Sequence, residues 1–150
     1  MISLQSVTKT YENTTAVDAI DLTVEEGDTS VLIGPSGCGK STTLRCVMGL
    51  VEPDSGTVEF DGLELDPGDT GQLLSVRRRM GYVIQGGGLF PHMTARENVL
   101  VMANELSWDQ DRKRNRLERL ADLTRFPEEG LDRYPAQLSG GQKQRVSLMR

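Results

Sequence analysis

Apolar and polar residues alternate from the N-terminus to Val24, then give way to short apolar runs and later to helical spacing. The alternation predicts strands over Ile2–Tyr11 and Ala16–Val24, with Ile20, Leu22 and Val24 on one face. Glu25-Glu26-Gly27-Asp28 reads as a turn. Thr29–Ile33 is a short apolar run of the kind buried in a parallel sheet, so another strand is expected there. Beyond a glycine-rich loop, Leu44, Val47, Met48 and Val51 fall at helical spacing, and Pro53 to Gly56 ends that helix. Thr57–Phe60 and Leu63–Leu65 flank Asp61-Gly62, the pattern of a β-hairpin with a two-residue turn. Met80–Gln85 reads as a further strand, stopped by Gly86, Gly87 and Gly88.

The rhythm then becomes helical. Thr94 and Glu97 are spaced as a capping box, each satisfying an orphan amide at a helix start. Ser107 and Gln110 repeat the spacing ahead of a charged helix, with Leu117, Leu120 and Leu123 expected on its buried side. Pro127, Gly130 and Pro135 punctuate the end of this region. Ser139 and Gln142 open a last helix. The expected organisation is one α/β domain: a β-rich core over residues 1–90, a helical subdomain over 91–137, and a final helix start over 138–150.

Composition narrows the picture modestly. At 150 residues, with 37% hydrophobic and 26% charged residues, the chain is long enough for one domain with a real core. A net charge of −5 argues against a dedicated nucleic-acid binder. No apolar run approaches a membrane span, and the opening MISLQSVTKT has no secretory pattern. The cysteines, Cys38 and Cys46, form no disulfide framework and suit a reducing compartment. A cytoplasmic protein is expected, with any membrane role arising through a partner.

The candidate chemistry sits in two glycine-rich stretches. Gly34-Pro35-Ser36-Gly37-Cys38-Gly39-Lys40-Ser41-Thr42 fits G-x-x-x-x-G-K-[ST], the P-loop pattern. Its glycines let successive amides point inward at phosphate oxygens, and the helix starting near Lys40 adds the positive end of its dipole. Lys40 would neutralise the outer phosphates, and Ser41 would ligate Mg²⁺. Leu138-Ser139-Gly140-Gly141-Gln142 offers a second anion site, a hydroxyl and bare amides at a helix start. The helical region separates the two, so a head-to-tail dimer is the arrangement in which each could close the other's nucleotide.

Together these motifs resemble the nucleotide-binding subunit of ATP-binding cassette (ABC) transporters. GPSGCGKST is similar to that family's Walker A loop and LSGGQ to its signature. Gln85, after Met80–Ile84, is similar to its Q-loop, and Tyr11 stands where such proteins stack an aromatic ring on adenine. Tyr82 to Val99 looks most like ATPases of glycine betaine, choline and other osmoprotectant importers. The resemblance implies a P-loop NTPase fold with an N-terminal antiparallel part, ATP and Mg²⁺ as cofactors, and Ser41 with Gln85 at the metal. It implies permease subunits and a second nucleotide-binding subunit as partners, with no nucleic acid, on the inner face of the cell membrane. Family members follow LSGGQ with a Walker B Asp-Glu pair, a D-loop and a switch histidine, none of which occurs in residues 1–150. The expectation is therefore a chain that binds ATP without efficient hydrolysis, with no catalytic residue present. Two alternatives stand beside it: a soluble ABC protein acting on nucleic acid or ribosomes, and a nucleotide-binding module without turnover.

Other features read more plainly. Arg112 to Arg116 suits a solvated helix face beside Asp109, Asp111 and Glu118. His92 reads as a surface residue of a partner-contact loop, Cys46 as helix packing, and Trp108 as an anchor of the helical region.

Overall fold

A computed structural model describes residues 1–84 and 87–150, which divide into two compact units, Met1–Gly81 and Tyr82–Arg150. Gln85, the expected Q-loop residue, lies outside the described residues.

The first unit is built on β1 (Ile2–Tyr11), β2 (Thr14–Val24), β3 (Ser55–Phe60) and β4 (Leu63–Glu64), an antiparallel sheet in the order β2-β1-β3-β4. Leu4 pairs with Leu22 on one side and Val58 on the other, which places alternate apolar residues of all three strands on one face. The β3–β4 turn forms at Asp61 and Gly62, with φ of 51° and 76°, the double left-handed geometry of a two-residue hairpin. Helices α1 (Lys40–Val47) and α2 (Thr70–Arg77) complete this unit. Leu4, Val7, Val17, Cys46, Val47, Val58, Leu65, Leu73 and Val76 form its core. Each such aliphatic side chain contributes about 1.5–3 kcal/mol by leaving water. Arg77 then ties α2 to the end of α1, its guanidinium donating to the carbonyls of Met48 and Gly49.

The expected strand at Thr29–Ile33 does not form. Its residues lie outside every ladder, and Val31 and Ile33 are 71% and 91% exposed. Met80–Ile84 likewise has no strand, with Val83 and Ile84 exposed. A buried parallel strand exists only with a hydrogen-bonded neighbour and a covered face, and the described residues supply neither. Leu44 also departs from expectation and faces solvent, while Thr43, Cys46 and Val47 carry the buried side of α1.

The second unit is helical: α3 (Ala95–Glu105), α4 (Gln110–Thr124) and α5 (Gly140–Met149), with single 3-10 turns at Glu128–Gly130 and Pro135–Gln137. Ala95, Val99, Leu117, Ala121, Phe126, Leu131, Leu138, Val146 and Met149 pack as its core. The Thr94 capping box is present: Glu97 N donates to Thr94 Oγ1 at 3.2 Å and Thr94 N to Glu97 Oε2 at 2.7 Å. The cap of α4 is Asp109 rather than Ser107, and its carboxylate accepts from Arg112 N at 2.8 Å. Ser107 instead takes φ 52° in the connection. Leu123 is 70% exposed, because at 100° per residue it lies well away from the Leu117–Ala121 face.

Candidate functional site

The glycine loop enters α1 without a side-chain cap. Gly39 occupies the N-cap position at φ 89°, and no acidic residue stands in the first turn. The opening amides of α1 therefore carry the helix's positive end with no carboxylate to neutralise it. Gly39 is fixed by sterics as well as by φ: a Cβ there would lie 2.0 Å from the Ala16 carbonyl oxygen of β2. That close approach seats the loop against the β1–β2 hairpin. Thr43 locks the turn from inside, its buried hydroxyl donating to Gly39 O at 3.1 Å.

Lys40 lies across the loop. Its ammonium donates to Gly34 O at 2.8 Å and Pro35 O at 2.7 Å, and stands 3.3 Å from Cys38 Sγ. The positive charge is thus held at the loop by carbonyl oxygens and not by a carboxylate. Ser36, Gly37, Cys38 and Ser41 are exposed beside it, and Thr42 is partly covered. Gly37, at φ 85°, has open space around its α-carbon, so its amide is approachable. The arrangement offers one cation, exposed hydroxyls and a cluster of backbone donors: the chemistry of a phosphate chain and a hard cation's oxygen shell.

Tyr11 ends β1 opposite Thr14, on the same hairpin as Ala16. At the rise of a strand, Thr14 stands roughly 7 Å along from Ala16, which puts Tyr11 near the loop's rim. Tyr11 is 44% exposed, with the Lys9 ammonium 5.7 Å from its ring centroid. Lys9 is in turn held by Asp54 at 2.7 Å, a contact that raises the Lys9 pKa and lowers that of Asp54. A cavity of about 530 Å³ in this unit, lined by Cys46, Gly49, Pro53, Leu73 and Arg77 among others, contains none of the glycine-loop residues.

In the second unit, Ser139 caps α5 in a reciprocal box. Gln142 N donates to Ser139 Oγ at 3.3 Å, and Ser139 N donates to Gln142 Oε1 at 2.9 Å. Leu138 is buried and anchors the segment in the helical core. Gly140 and Gly141 have nothing within 4 Å of a notional Cβ, so the first turn of α5 presents bare backbone to solvent. The structure thus builds two glycine-containing helix starts, one in each unit. One residue that pattern reading passed over shapes the approach to α3. Asn98 is fully buried and bonds to the backbone of Phe90, Met93 and Thr94. Its helical spacing carries no hint of this; only a polar residue at a core position points to it.

Comparison with known proteins assigns the class. The "ABC transporter" family profile matches residues 17–150. The chain belongs to that family, and its fold is that of an ABC ATPase. It is 42% identical along its whole length to the glycine betaine/carnitine/choline transport ATP-binding protein OpuCA of Bacillus subtilis, covering 39% of that protein. It is 43% identical to the glycine betaine uptake system ATP-binding protein YehX of Escherichia coli, covering 48% of it. The chain thus spans less than half the length of these relatives. The dimeric bacterial ABC transporter cassette MJ0796 superposes with a TM-score of 0.92 at 34% identity, over 99% of this chain and 68% of that one.

Proposed function

We propose that this chain is the ATP-binding part of an importer subunit for a small polar, osmoprotectant-like solute. The carrying observation is the uncapped start of α1, with the Lys40 ammonium held across the loop by the Gly34 and Pro35 carbonyls. On this reading Tyr11 stacks on adenine, Gly34, Pro35, Ser36, Gly37, Cys38, Gly39, Lys40 and Thr42 hold the phosphates, and Ser41 with Gln85 holds Mg²⁺. Leu138, Ser139, Gly140, Gly141 and Gln142 meet the γ-phosphate bound by a second, head-to-tail subunit. A transmembrane permease is the further partner, and through it the subunit sits on the inner face of the membrane. The relatives named for glycine betaine, carnitine and choline transport or uptake support the solute class. The net charge of −5 disfavours the rival role on nucleic acid or ribosomes; co-purification with RNA in place of a permease would establish that rival.

Residues 1–150 taken alone bind Mg-ATP without turning it over at a family-like rate. Among the described residues, no carboxylate hydrogen-bonds to the loop, and this reading assigns none as acceptor of an attacking water's proton. Such a group is worth about 10²- to 10⁴-fold in rate. Calorimetric titration of Mg-ATP should show Lys40→Ala weakening binding by about 2 kcal/mol, the worth of a charge-assisted contact. Equal affinities would remove the phosphate reading. Phosphate release by wild type should match the Lys40→Ala control; release well above it, and abolished by Ser139→Ala, would show that another group handles the proton.

A further inference from the structure

Helix α4 carries Arg112, Arg116 and Arg119 at spacings of four and three, so they rise along one stripe of its surface. With Trp108 and Asn115 they line an open concavity of about 470 Å³. The Arg112 guanidinium lies over the Trp108 ring, 3.7 Å from its centroid, which fixes the plane of the cation and leaves its edges available. On the same helix Arg114 has a carboxylate partner, Asp111. Among the described residues, Arg112, Arg116 and Arg119 have none. Like charges one turn apart on a helix repel, so this stripe carries an electrostatic cost that a bound anion would remove.

We propose that the stripe is a binding site for a compact, multiply charged anion of the phosphoanhydride class. Guanidinium forks match phosphate oxygens bidentately, and Asn115 adds an amide donor at the same concavity. Size follows from what flanks the stripe. The carboxylates of Asp111, Glu118 and Asp122 run along the adjoining side of α4, about a quarter of the way around the helix. A bilayer surface or an extended nucleic acid would meet both stripes and be repelled by the second. The Asp109 carboxylate, next to Trp108, is turned to the Arg112 backbone amide at 2.8 Å, and a compact anion over Arg112, Arg116 and Arg119 meets the guanidiniums beyond it. The site is independent of the glycine loop and of the nucleotide reading.

Trp108 is the sole tryptophan, so its emission reports this concavity directly. Inorganic pyrophosphate, titrated at constant ionic strength into wild type and Lys40→Ala, should give the same saturable change in emission. The Arg116→Gln/Arg119→Gln double variant should bind roughly tenfold more weakly or worse. Should that variant lose its helical circular dichroism, Arg119→Gln alone takes its place with the same expectation at smaller size. An unaltered titration in the arginine variants would overturn the proposal, as would a change that sodium chloride of equal ionic strength reproduces. So would silence toward pyrophosphate combined with a response to phosphatidylglycerol vesicles, which would make the stripe a membrane-facing surface.

Discussion

Asn98 holds the loop before α3 with every polar atom it has. Its Oδ1 accepts from Phe90 N at 2.8 Å, while Nδ2 faces the carbonyls of Phe90, Met93 and Thr94 at 3.1, 3.0 and 2.9 Å. Asn98 itself is shut away from water, and removing its amide takes this partner from Phe90 N and Met93 O. Asn98→Ala should cost about 2–4 kcal/mol, read as a lowered urea midpoint. Asn98→Asp should be no better, since it turns a donor into an acceptor facing three carbonyls. A midpoint within error of wild type would mean that solvent reaches these groups.

At the scale of elements, helix starts and short loops carry much of the charge. The Glu97 carboxylate accepts from the backbone and side chain of Thr94, which holds its pKa below the ordinary 4.5. Asp132 is lowered by Arg96, Asp61 by the N-terminal ammonium and then Arg79, and Asp54 by Lys9 and Thr10 N. Each folded-state value lies below the unfolded one. The stability these groups supply is therefore present above the ordinary carboxylate range and lost as pH falls through the lowered values. The urea midpoint should hold between about pH 7 and pH 5 and drop below about pH 4.5, with a shallower drop in Glu97→Gln. An identical acid limb in that variant would remove Glu97 from the account.

The elements legible in the sequence are those decided within a few residues. The Asp61-Gly62 hairpin and the Thr94 and Ser139 caps are local bargains between a side chain and the next turn. Asp109 displaced Ser107 as a cap because two competing cap residues lay two positions apart, and only the path of the α3–α4 connection chooses between them. Helix α2 escapes pattern reading because Leu73 and Val76 are its only buried residues, too few to mark a period. Thr29–Ile33 and Met80–Ile84 have strand composition, yet a strand is a relation to a neighbour. The glycine loop and the signature segment are recognisable as words for the same local reason. That Ala16 O presses on Gly39, bringing the Tyr11 hairpin to the loop, is a tertiary fact that spacing cannot carry.

Across the whole molecule, the consequence of those unpaired stretches is surface. Val31 and Ile33 are 71% and 91% exposed, and Val83 and Ile84 add 41% and 44%. Extended apolar segments with free backbone groups recruit other strands. The polypeptide of residues 1–150 should bind a hydrophobic dye in its native state and grow in apparent mass with concentration by light scattering. A Val31→Thr/Ile33→Thr variant should bind less dye and stay smaller. A dye-silent monomer at all concentrations would show that these residues are covered.

The Lys40 ammonium rests on the Gly34 and Pro35 carbonyls, so under the proposed function phosphate entry would be an exchange reaction and not a simple addition. An arriving oxygen competes with carbonyls that already solvate the cation, so affinity measures the difference between two sets of contacts. The same lysine is then a brace of the unliganded loop, spanning Gly34 to the first residue of α1. Neutralising it with Lys40→Met should loosen that brace before any nucleotide is added, seen as faster amide hydrogen exchange across residues 34–39. On the proposed reading, the residue that meets the ligand's charge also sets the stiffness of the loop.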